Sequence, residues 1–185
     1  MKNDLSNKKV AVLVTDGFEE SEFVKPIDAL KEYHANVEVV SLKGGKVKAW
    51  SGGNWSREYD VDKTIEAADS KDYDALVLPG GVMNSDKLRM NRDAVNFVAG
   101  FFDDGKPVAA ICHAPWILIE TGELQDRELT SYPSLRTDLL NAGANWVDAE
   151  VVVDNGLVTS RKPDDLPAFC AKMIEEIAEG VHAEK

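Results

Sequence analysis

The feature that most constrains this chain is a series of short apolar runs, each ending in a turn and followed by a segment of helical periodicity. The runs occupy residues 9–14, 37–42, 73–79 and 107–111, and the first of them is rich in β-branched side chains. They lack the polar and apolar alternation of a half-exposed strand, which is typical of parallel strands buried on both faces. We therefore expect a sheet that is covered on both sides.

The segments between these runs predict the covering helices. After the first run, Ser21 is placed to cap a helix whose apolar side chains recur at helical spacing. Further helices are predicted over 94–102, 116–120, 135–143 and 166–177. The alternation of strand and helix predicts an α/β fold with a mostly parallel central sheet and helices on both of its faces.

Three more strand segments complete this outline. A small hairpin is predicted around 46–50, and strands over 147–153 and 157–160 are joined by an Asp-Asn-Gly turn at 154–156. No composition break, repeat or linker interrupts the pattern. We therefore predict one domain over residues 1–185, with its core at about 9–178.

Composition limits the partners that such a domain can have. The chain has 185 residues, with 21 Lys and Arg against 33 Asp and Glu, which gives a net charge of −12. So acidic a surface repels phosphates and argues against nucleic-acid and anionic-membrane binding. No run approaches the roughly 20 apolar residues that cross a bilayer, and the N-terminal run is too short for a signal-peptide core, so a cytoplasmic protein is expected.

Polar residues follow three of the predicted strands, at the sheet edge where open α/β sheets bind ligands. In chain order they are Glu19, Glu20, Glu22, Gly80, Gly81, Cys112 and His113. Cys112 lies where a buried strand gives way to a helix, which is the geometry of a nucleophile elbow with cysteine in place of serine. The nearby helix N-terminus favours a lowered thiol pKa. The alternative interpretation is that Cys112 is only a small buried apolar residue. That interpretation is the one predicted for Cys170, which lies on the apolar stripe of its helix.

The other candidates also have two interpretations. His113 is either a base or only a cap, since the side chains of adjacent residues project in different directions. A glutamate after the first strand either interacts favourably, as a carboxylate, with the dipole at a helix N-terminus, or stays protonated and donates a hydrogen bond to the thiolate. Gly80 and Gly81 either offer N–H groups to an oxyanion or form a bare turn. Neither GxGxxG nor GxxxxGKS/T occurs, and no cysteine–histidine cluster has metal spacing, so no cofactor or metal is predicted.

Six sequence motifs follow one another over nearly the whole chain, and their order and spacing match the pattern of a known family. They read DGFEESE at 16–22, ALVLPGG at 75–81, GKPVAAICHAP at 105–115, TSYP at 130–133, NAGANWVD at 141–148 and SRKPDDL at 160–166. This set resembles the DJ/PfpI superfamily, and most closely its PfpI-type intracellular protease branch. The resemblance implies a flavodoxin-like three-layer sandwich, the fold of class I glutamine amidotransferases. It does not extend to the amidotransferase reaction, because no histidine falls between His113 and His182.

The resemblance also implies roles for individual residues. Cys112 matches the family's reactive cysteine and His113 its adjacent histidine. The acid that hydrogen-bonds the cysteine matches Glu22, with Glu19 as the second choice. The oxyanion-hole amides match Gly81 and His113.

Two further positions complete the implied site. Tyr132 matches a tyrosine that lines the pocket in the protease branch. An acidic residue donated by a neighbouring subunit matches Asp86, although the segment 82–86 is one residue longer than the family's pattern. The implied assembly is a homo-oligomer, either a dimer or a ring of dimers.

The functions that the resemblance implies all use the thiol of Cys112 and need no cofactor. One is peptide hydrolysis; the other is attack on a reactive aldehyde such as methylglyoxal, or on its protein adducts, to give lactate, as a glyoxalase III or deglycase does. A small exposed elbow cysteine suits a small aldehyde better than an extended polypeptide, so we favour the second. The alternative from a different class is a thiol redox sensor or chaperone-like stress protein with little catalysis.

Overall fold

A computed structural model describes residues 3–180 of the chain, so His182 lies outside the described residues. The strands are β1 Lys9–Leu13, β2 Phe18–Glu19, β3 Asn36–Ser41, β4 Lys46–Ser51, β5 Asn54–Asp60, β6 Lys63–Thr64, β7 Ala75–Leu78, β8 Val108–Ile111, β9 Glu128–Leu129, β10 Asn145–Trp146, β11 Val152–Asp154 and β12 Leu157–Ser160. The helices are α1 Glu20–Glu32, α2 Val82–Met90, α3 Arg92–Asp103, α4 Pro115–Thr121, α5 Arg136–Asn141 and α6 Leu166–Glu179. Within residues 3–180, none of these helices is both long enough and apolar enough to cross a bilayer.

The central sheet has seven strands in the order β11-β12-β8-β7-β1-β3-β6. Neighbouring strands pair in parallel except at one edge, where β11 runs antiparallel to β12. Along β1, Val10 and Val12 pack on one face against α1 and α6, whereas Ala11 and Leu13 pack on the other face against the remaining helices. Both faces of the strand are buried, which is why its sequence shows no alternation. The predicted α/β architecture is confirmed.

A second, three-stranded sheet lies beside the end of β1, in the order β2-β4-β5. Strands β4 and β5 form the hairpin predicted around 46–50, and β2 pairs in parallel with β4. This pairing sets Glu19 in register with Trp50. The hairpin therefore places an aromatic residue next to the first cluster of glutamates.

The strand predicted over 147–153 is wrong for most of its length. Strand β11 begins only at Val152, whereas Trp146 pairs with Leu129 in a separate two-stranded sheet. Between them, Asp148 accepts a hydrogen bond from Arg161 Nη1 at 2.8 Å. The polar residues of this segment thus bind a neighbouring loop, and the chain there runs as irregular structure.

The cap predicted for the first helix is also wrong. Helix α1 begins at Glu20, and Glu19 occupies the cap position without a side-chain bond to the helix backbone. The hydroxyl of Ser21 donates to Oε1 of Glu19 at 3.4 Å instead. Pairing of β2 with β4 extends the chain up to Glu19, so the helix starts one residue before the expected cap.

Helix α2 has no counterpart among the predicted helices. Its buried side chains are Asn84, Ser85 and Leu88, so two of the three are polar. A helix that buries polar groups lacks the apolar stripe on which periodicity depends. Its position follows from tertiary hydrogen bonds that the sequence pattern does not encode.

Candidate active site

Cys112 occupies the turn between β8 and α4 with φ +65°, a conformation that is uncommon for a residue other than glycine. Its N–H donates to the Ser160 carbonyl at 2.9 Å, and its carbonyl accepts from the Tyr132 N–H at 2.9 Å. These bonds to two neighbouring segments hold the strained turn in place. The side chain is thereby presented at the carboxyl edge of the sheet, in the elbow geometry expected from the sequence.

Two glycines after β7 allow the chain to pass close to this cysteine. A Cβ atom added to Gly80 would lie 2.8 Å from Cys112 Cβ and would also meet the carboxyl of Glu22. Gly81 has φ +91°, which favours glycine. The N–H groups of Gly81 and His113 both interact with the Cys112 sulfur and favour its ionised form. The backbone donors that the resemblance implied for an oxyanion hole therefore lie together at the sulfur.

Glu22 is fully buried in the first turn of α1. Its Oε2 accepts from the Gly80 N–H at 2.8 Å, whereas Oε1 makes no hydrogen bond of ordinary geometry with the described residues. Burial raises the pKa of Glu22 from 4.5 to about 8; the negative charge of Glu19 adds to this, while the Gly80 N–H and the Cys112 thiol oppose it. Glu22 therefore carries a proton at neutral pH.

The expected lowering of the Cys112 pKa by the helix N-terminus is not found. Cys112 is 7% exposed, and burial raises the pKa of its thiol. A negative charge on Glu22 raises this pKa further, whereas the N–H groups of Gly81 and His113 lower it. Helix α4 has only seven residues, and its field does not overcome desolvation. Cys112 and Glu22 thus compete for one negative charge, and a protonated Glu22 makes the thiolate easier to form.

His113 contacts its neighbour's sulfur although the two side chains are adjacent in sequence. Its Nδ1 lies 3.2 Å from Cys112 Sγ, and its Nε2 lies 3.4 Å from Ser134 Oγ. Tyr132 stacks on the ring, with centroids 4.7 Å apart and planes 25° apart. Burial lowers the pKa of His113, so the ring is mainly neutral at pH 7 and has one nitrogen that can accept a proton.

These groups open into one cavity of about 430 Å³. It is lined by Gly17, Glu19, Glu22, Trp50, Gly81, Val82, Met83, Cys112, His113, Tyr132 and Pro163. Among the residues to which the resemblance gave a role, Asp86 is the exception: it is exposed on α2 and makes no hydrogen bond to His113 within residues 3–180. Cys170 is half-buried and lines a separate groove between α1 and α6.

Asn84 supports this site and was missed from the sequence. Its fully buried amide accepts from the Thr15 N–H at 2.7 Å and donates to the carbonyls of Pro79 and Gly80, each at 3.0 Å. The side chain therefore joins the end of β1 to the turn that carries the Gly81 donor. The available signal was an asparagine three residues after the Gly-Gly pair, but its contacts depend on α2.

We expect Asn84→Ala to destabilise the fold by about 3 kcal/mol, because three hydrogen bonds to backbone groups are lost in a buried setting at roughly 1 kcal/mol each. Urea unfolding of the variant and the wild type measures this difference. Ser85→Ala is the matched control: Ser85 is buried one position along, its Oγ has no partner among the described residues, and its loss should cost less than about 1 kcal/mol. Equal effects at the two positions would contradict the role given to Asn84.

The central sheet and its elbow cysteine place this chain among the α/β proteins that present a nucleophile above the carboxyl edge of a parallel sheet. Residues 8–176 match the model of the DJ-1/PfpI family. The chain belongs to that family, as its motifs indicated.

Individual relatives extend over nearly the same region. The chain is 46% identical over 163 residues to general stress protein 18 of Bacillus subtilis (strain 168), covering 88% of this chain and 93% of that protein. It is 44% identical over 164 residues to protein/nucleic acid deglycase 2 of Escherichia coli (strain K12), covering 88% and 94%. A crystal structure of a two-domain protein from Anabaena variabilis, with DJ-1/ThiJ/PfpI-like and ferritin-like domains, matches with a TM-score of 0.86 at 37% identity. That match covers 92% of this chain and 48% of the other, so this chain spans about half its length.

Proposed function

We propose that this protein is a stress-related, cofactor-independent cysteine enzyme that converts reactive α-oxoaldehydes such as methylglyoxal, or their protein adducts, into hydroxy acids. The observation that carries the proposal is a thiol on a strained elbow beside a buried carboxyl, Glu22, which holds a proton at neutral pH. Converting an aldehyde into an acid requires a nucleophile and a group that moves protons. Similarity to relatives named as a deglycase and a general stress protein supports the same class.

In the proposed reaction, Sγ of Cys112 bonds to the aldehyde carbon and its proton passes to His113, whose Nδ1 lies 3.2 Å away. The N–H groups of Gly81 and His113 stabilise the oxyanion of the resulting hemithioacetal. Glu22 assists the transfer of a proton from the former aldehyde carbon to the adjacent carbonyl carbon. The first carbon is oxidised and the second reduced, which gives a lactate thioester without an external oxidant. Water then cleaves the thioester and restores the thiol.

We assign Asp86 a role across a subunit contact in a homo-oligomer, a dimer or a ring of dimers. Val82, Asp86 and Met90 recur every four residues on the exposed face of α2, and the two apolar side chains are 52% and 76% exposed. Apolar groups left uncovered on both sides of a carboxylate suit contact with a second copy of the chain. Asp86 would then orient the His113 of that second protomer.

The test is lactate formation from methylglyoxal by the purified protein, measured over a range of protein concentrations. We expect turnover that Cys170→Ala leaves unchanged, because Cys170 lies in a separate groove, and a rate per protomer that rises until the oligomer has formed. Absence of turnover on methylglyoxal and its protein adducts would overturn the proposal. Peptide hydrolysis in its place would favour a protease, and a clean gain of two oxygens on Cys112 after mild peroxide would favour a thiol sensor.

A further inference from the structure

Two residues near the cavity have no role in the reaction above: Trp50, which lines the cavity, and Glu20, which begins α1. Trp50 is the last but one residue of β4, and its register partners are Glu19 in β2 and Trp55 in β5. The rings of Trp50 and Trp55 meet edge to face, with centroids 5.4 Å apart and planes 85° apart. Trp50 is therefore the part of the cavity wall that the β4–β5 hairpin contributes.

The hairpin carries a β-bulge next to this wall. Lys48 of β4 pairs with Glu58 of β5, but two positions further along β4, Trp50 pairs with Trp55. Residues 56–57 of β5 therefore lie opposite a single residue of β4. A bulge of this kind shifts the register by one residue and re-aims side chains, which is common beside active sites. This shift brings Trp55 opposite Trp50.

The carboxylate of Glu20 binds β5 at the bulge itself. Its Oε2 accepts from the Ser56 hydroxyl at 2.7 Å, and its Oε1 accepts from the Tyr59 hydroxyl at 2.6 Å. Arg57 Nε lies 3.3 Å from the same Oε1. Side chains three positions apart in a regular strand point to opposite faces, so Ser56 and Tyr59 reach one carboxylate because the bulge lies between them. We call these three contacts the Glu20 anchor.

The Glu20 anchor is packed against α1 and the strand before it. The side chain of Glu20 is 12% exposed, and the Tyr59 ring packs edge to face on Phe18 and Phe23, with centroids 5.9 and 4.9 Å away. Hydrogen bonds from β5, that of Tyr59 above all, hold the pKa of Glu20 below its usual value, so the bonds are charge-assisted at neutral pH. Glu22 lies in the same first turn of α1. The anchor therefore fixes the hairpin relative to the helix that carries the acid of the site.

We propose that Trp50 is a specificity-determining residue that limits the size of the substituent on an α-oxoaldehyde attacked by Cys112, and that Glu20 is the positioning residue that holds Trp50 in the wall. A wall formed by an anchored hairpin does not retreat from a bulky group unless the bonds at Glu20 break. Exclusion by a clash is one of the two ways in which a site discriminates between ligands. The size limit rests on the cavity alone, and its effect on catalysis rests on the proposed function.

The first experiment measures the size limit without any turnover. Cys112 is modified with methyl and benzyl methanethiosulfonate, which are both neutral, and the rates are read by peptide mass spectrometry. The ratio of the benzyl rate to the methyl rate cancels changes in thiol reactivity. We expect Trp50→Ala to raise this ratio about tenfold, and Trp50→Phe, which serves where the alanine variant does not fold, to raise it less. Cys170, read in the same digest, lies in a separate groove and should keep its ratio.

The same ratio tests the Glu20 anchor. Glu20→Ala should raise it about threefold, because the hairpin can then open while Trp50 is still present. Glu20→Gln should restore most of the wild-type ratio, since its amide can accept from Tyr59 and donate to Ser56, whereas a general loss of stability would not alter the ratio in the folded protein. Ser56→Ala combined with Tyr59→Phe removes the same bonds and should match Glu20→Ala. Glu58→Ala, at an exposed position of the same strand, is the control and should leave the ratio unchanged.

The second experiment compares tert-butylglyoxal with methylglyoxal as substrates. We expect the ratio of kcat/KM for the bulky aldehyde to that for the small one to rise about tenfold in Trp50→Ala and about threefold in Glu20→Ala. The ratio cancels any general loss of activity at Cys112. Glu58→Ala is again the control.

The outcomes distinguish this inference from the proposed function. A benzyl-to-methyl ratio that stays constant or falls in Trp50→Ala overturns the inference, whether or not any aldehyde is converted. A rise in Trp50→Ala without one in Glu20→Ala and in the double variant overturns the role given to Glu20. Rises in all three variants with no aldehyde converted support the size limit and overturn the proposed reaction. Where aldehydes are converted, an aldehyde ratio that no variant changes overturns the inference, and a rise supports both.

Discussion

Cys112→Ala should abolish conversion of methylglyoxal to lactate, lowering kcat/KM by at least about 1000-fold, because the covalent route has no other nucleophile at this position. The cavity holds one thiol among the described residues, and Cys170 lies in the groove between α1 and α6. The measurement is lactate formed per protomer under conditions in which the wild type is active. Cys170→Ala is the matched control and should retain the wild-type rate.

The variant should keep its fold, which makes the loss interpretable. Position 112 has φ +65°, which strains cysteine and alanine alike, and its backbone bonds to Ser160 and Tyr132 involve no side-chain atom. We expect a free energy of unfolding within about 1 kcal/mol of the wild type, since only one sulfur atom is removed. Retention of more than 1% of wild-type turnover by a properly folded Cys112→Ala would remove Cys112 from the reaction.

The sheet was accessible to sequence reasoning because its strands are buried on both faces. Val10 and Val12 face one helical layer while Ala11 and Leu13 face the other, so β1 reads as an unbroken apolar run. Helices α3 and α6 each carry an apolar stripe that periodicity detects. Helix α2 was not predicted because it buries the polar side chains of Asn84 and Ser85 and so has no apolar stripe.

Within the candidate site, the position of a group was easier to predict than its electrostatics. The rule that ligands bind at the carboxyl edge of the sheet was enough to predict that Glu22, the Gly80 turn and Cys112 lie together. The sign of the Cys112 pKa shift was wrong, because burial of the thiol and the nearness of a carboxyl depend on packing that no spacing reveals. The place of Trp50 in the cavity wall likewise depends on the β2–β4 pairing.

Glu22→Gln should make the protein more stable than the wild type at alkaline pH, with little difference at pH 5. Burial raises the pKa of Glu22 from 4.5 to about 8, so the folded protein keeps a proton that the unfolded chain releases between those two values. Folding is therefore opposed increasingly as pH rises from about 4.5 to 8, by up to about 5 kcal/mol once Glu22 is ionised in both states. Glutamine has nearly the same shape and never ionises, so it avoids this cost.

Urea unfolding of both proteins at intervals from pH 5 to pH 9 measures the effect. At pH 5 the carboxyl is neutral in the folded state, and the amide oxygen of Gln can still accept from the Gly80 N–H, so we expect agreement within about 1 kcal/mol. At pH 9 the variant should be more stable by several kcal/mol. Titration of His113 affects both proteins alike and cancels, and the Cys112 thiol, whose pKa burial raises, stays protonated over this range.

A pH-dependent difference of this kind would show that the protein tolerates a carboxyl that destabilises the fold. This carboxyl, Glu22, lies next to Cys112, whose thiol is the one that lines the cavity among the described residues. Glu58→Gln, at an exposed position, supplies the control and should give a difference that stays flat with pH. A flat difference for Glu22→Gln as well would mean that Glu22 is ionised at neutral pH and cannot donate a proton to the reacting group. A rising difference places a neutral acid next to Cys112 under working conditions, which is the state that the proposed proton transfers require.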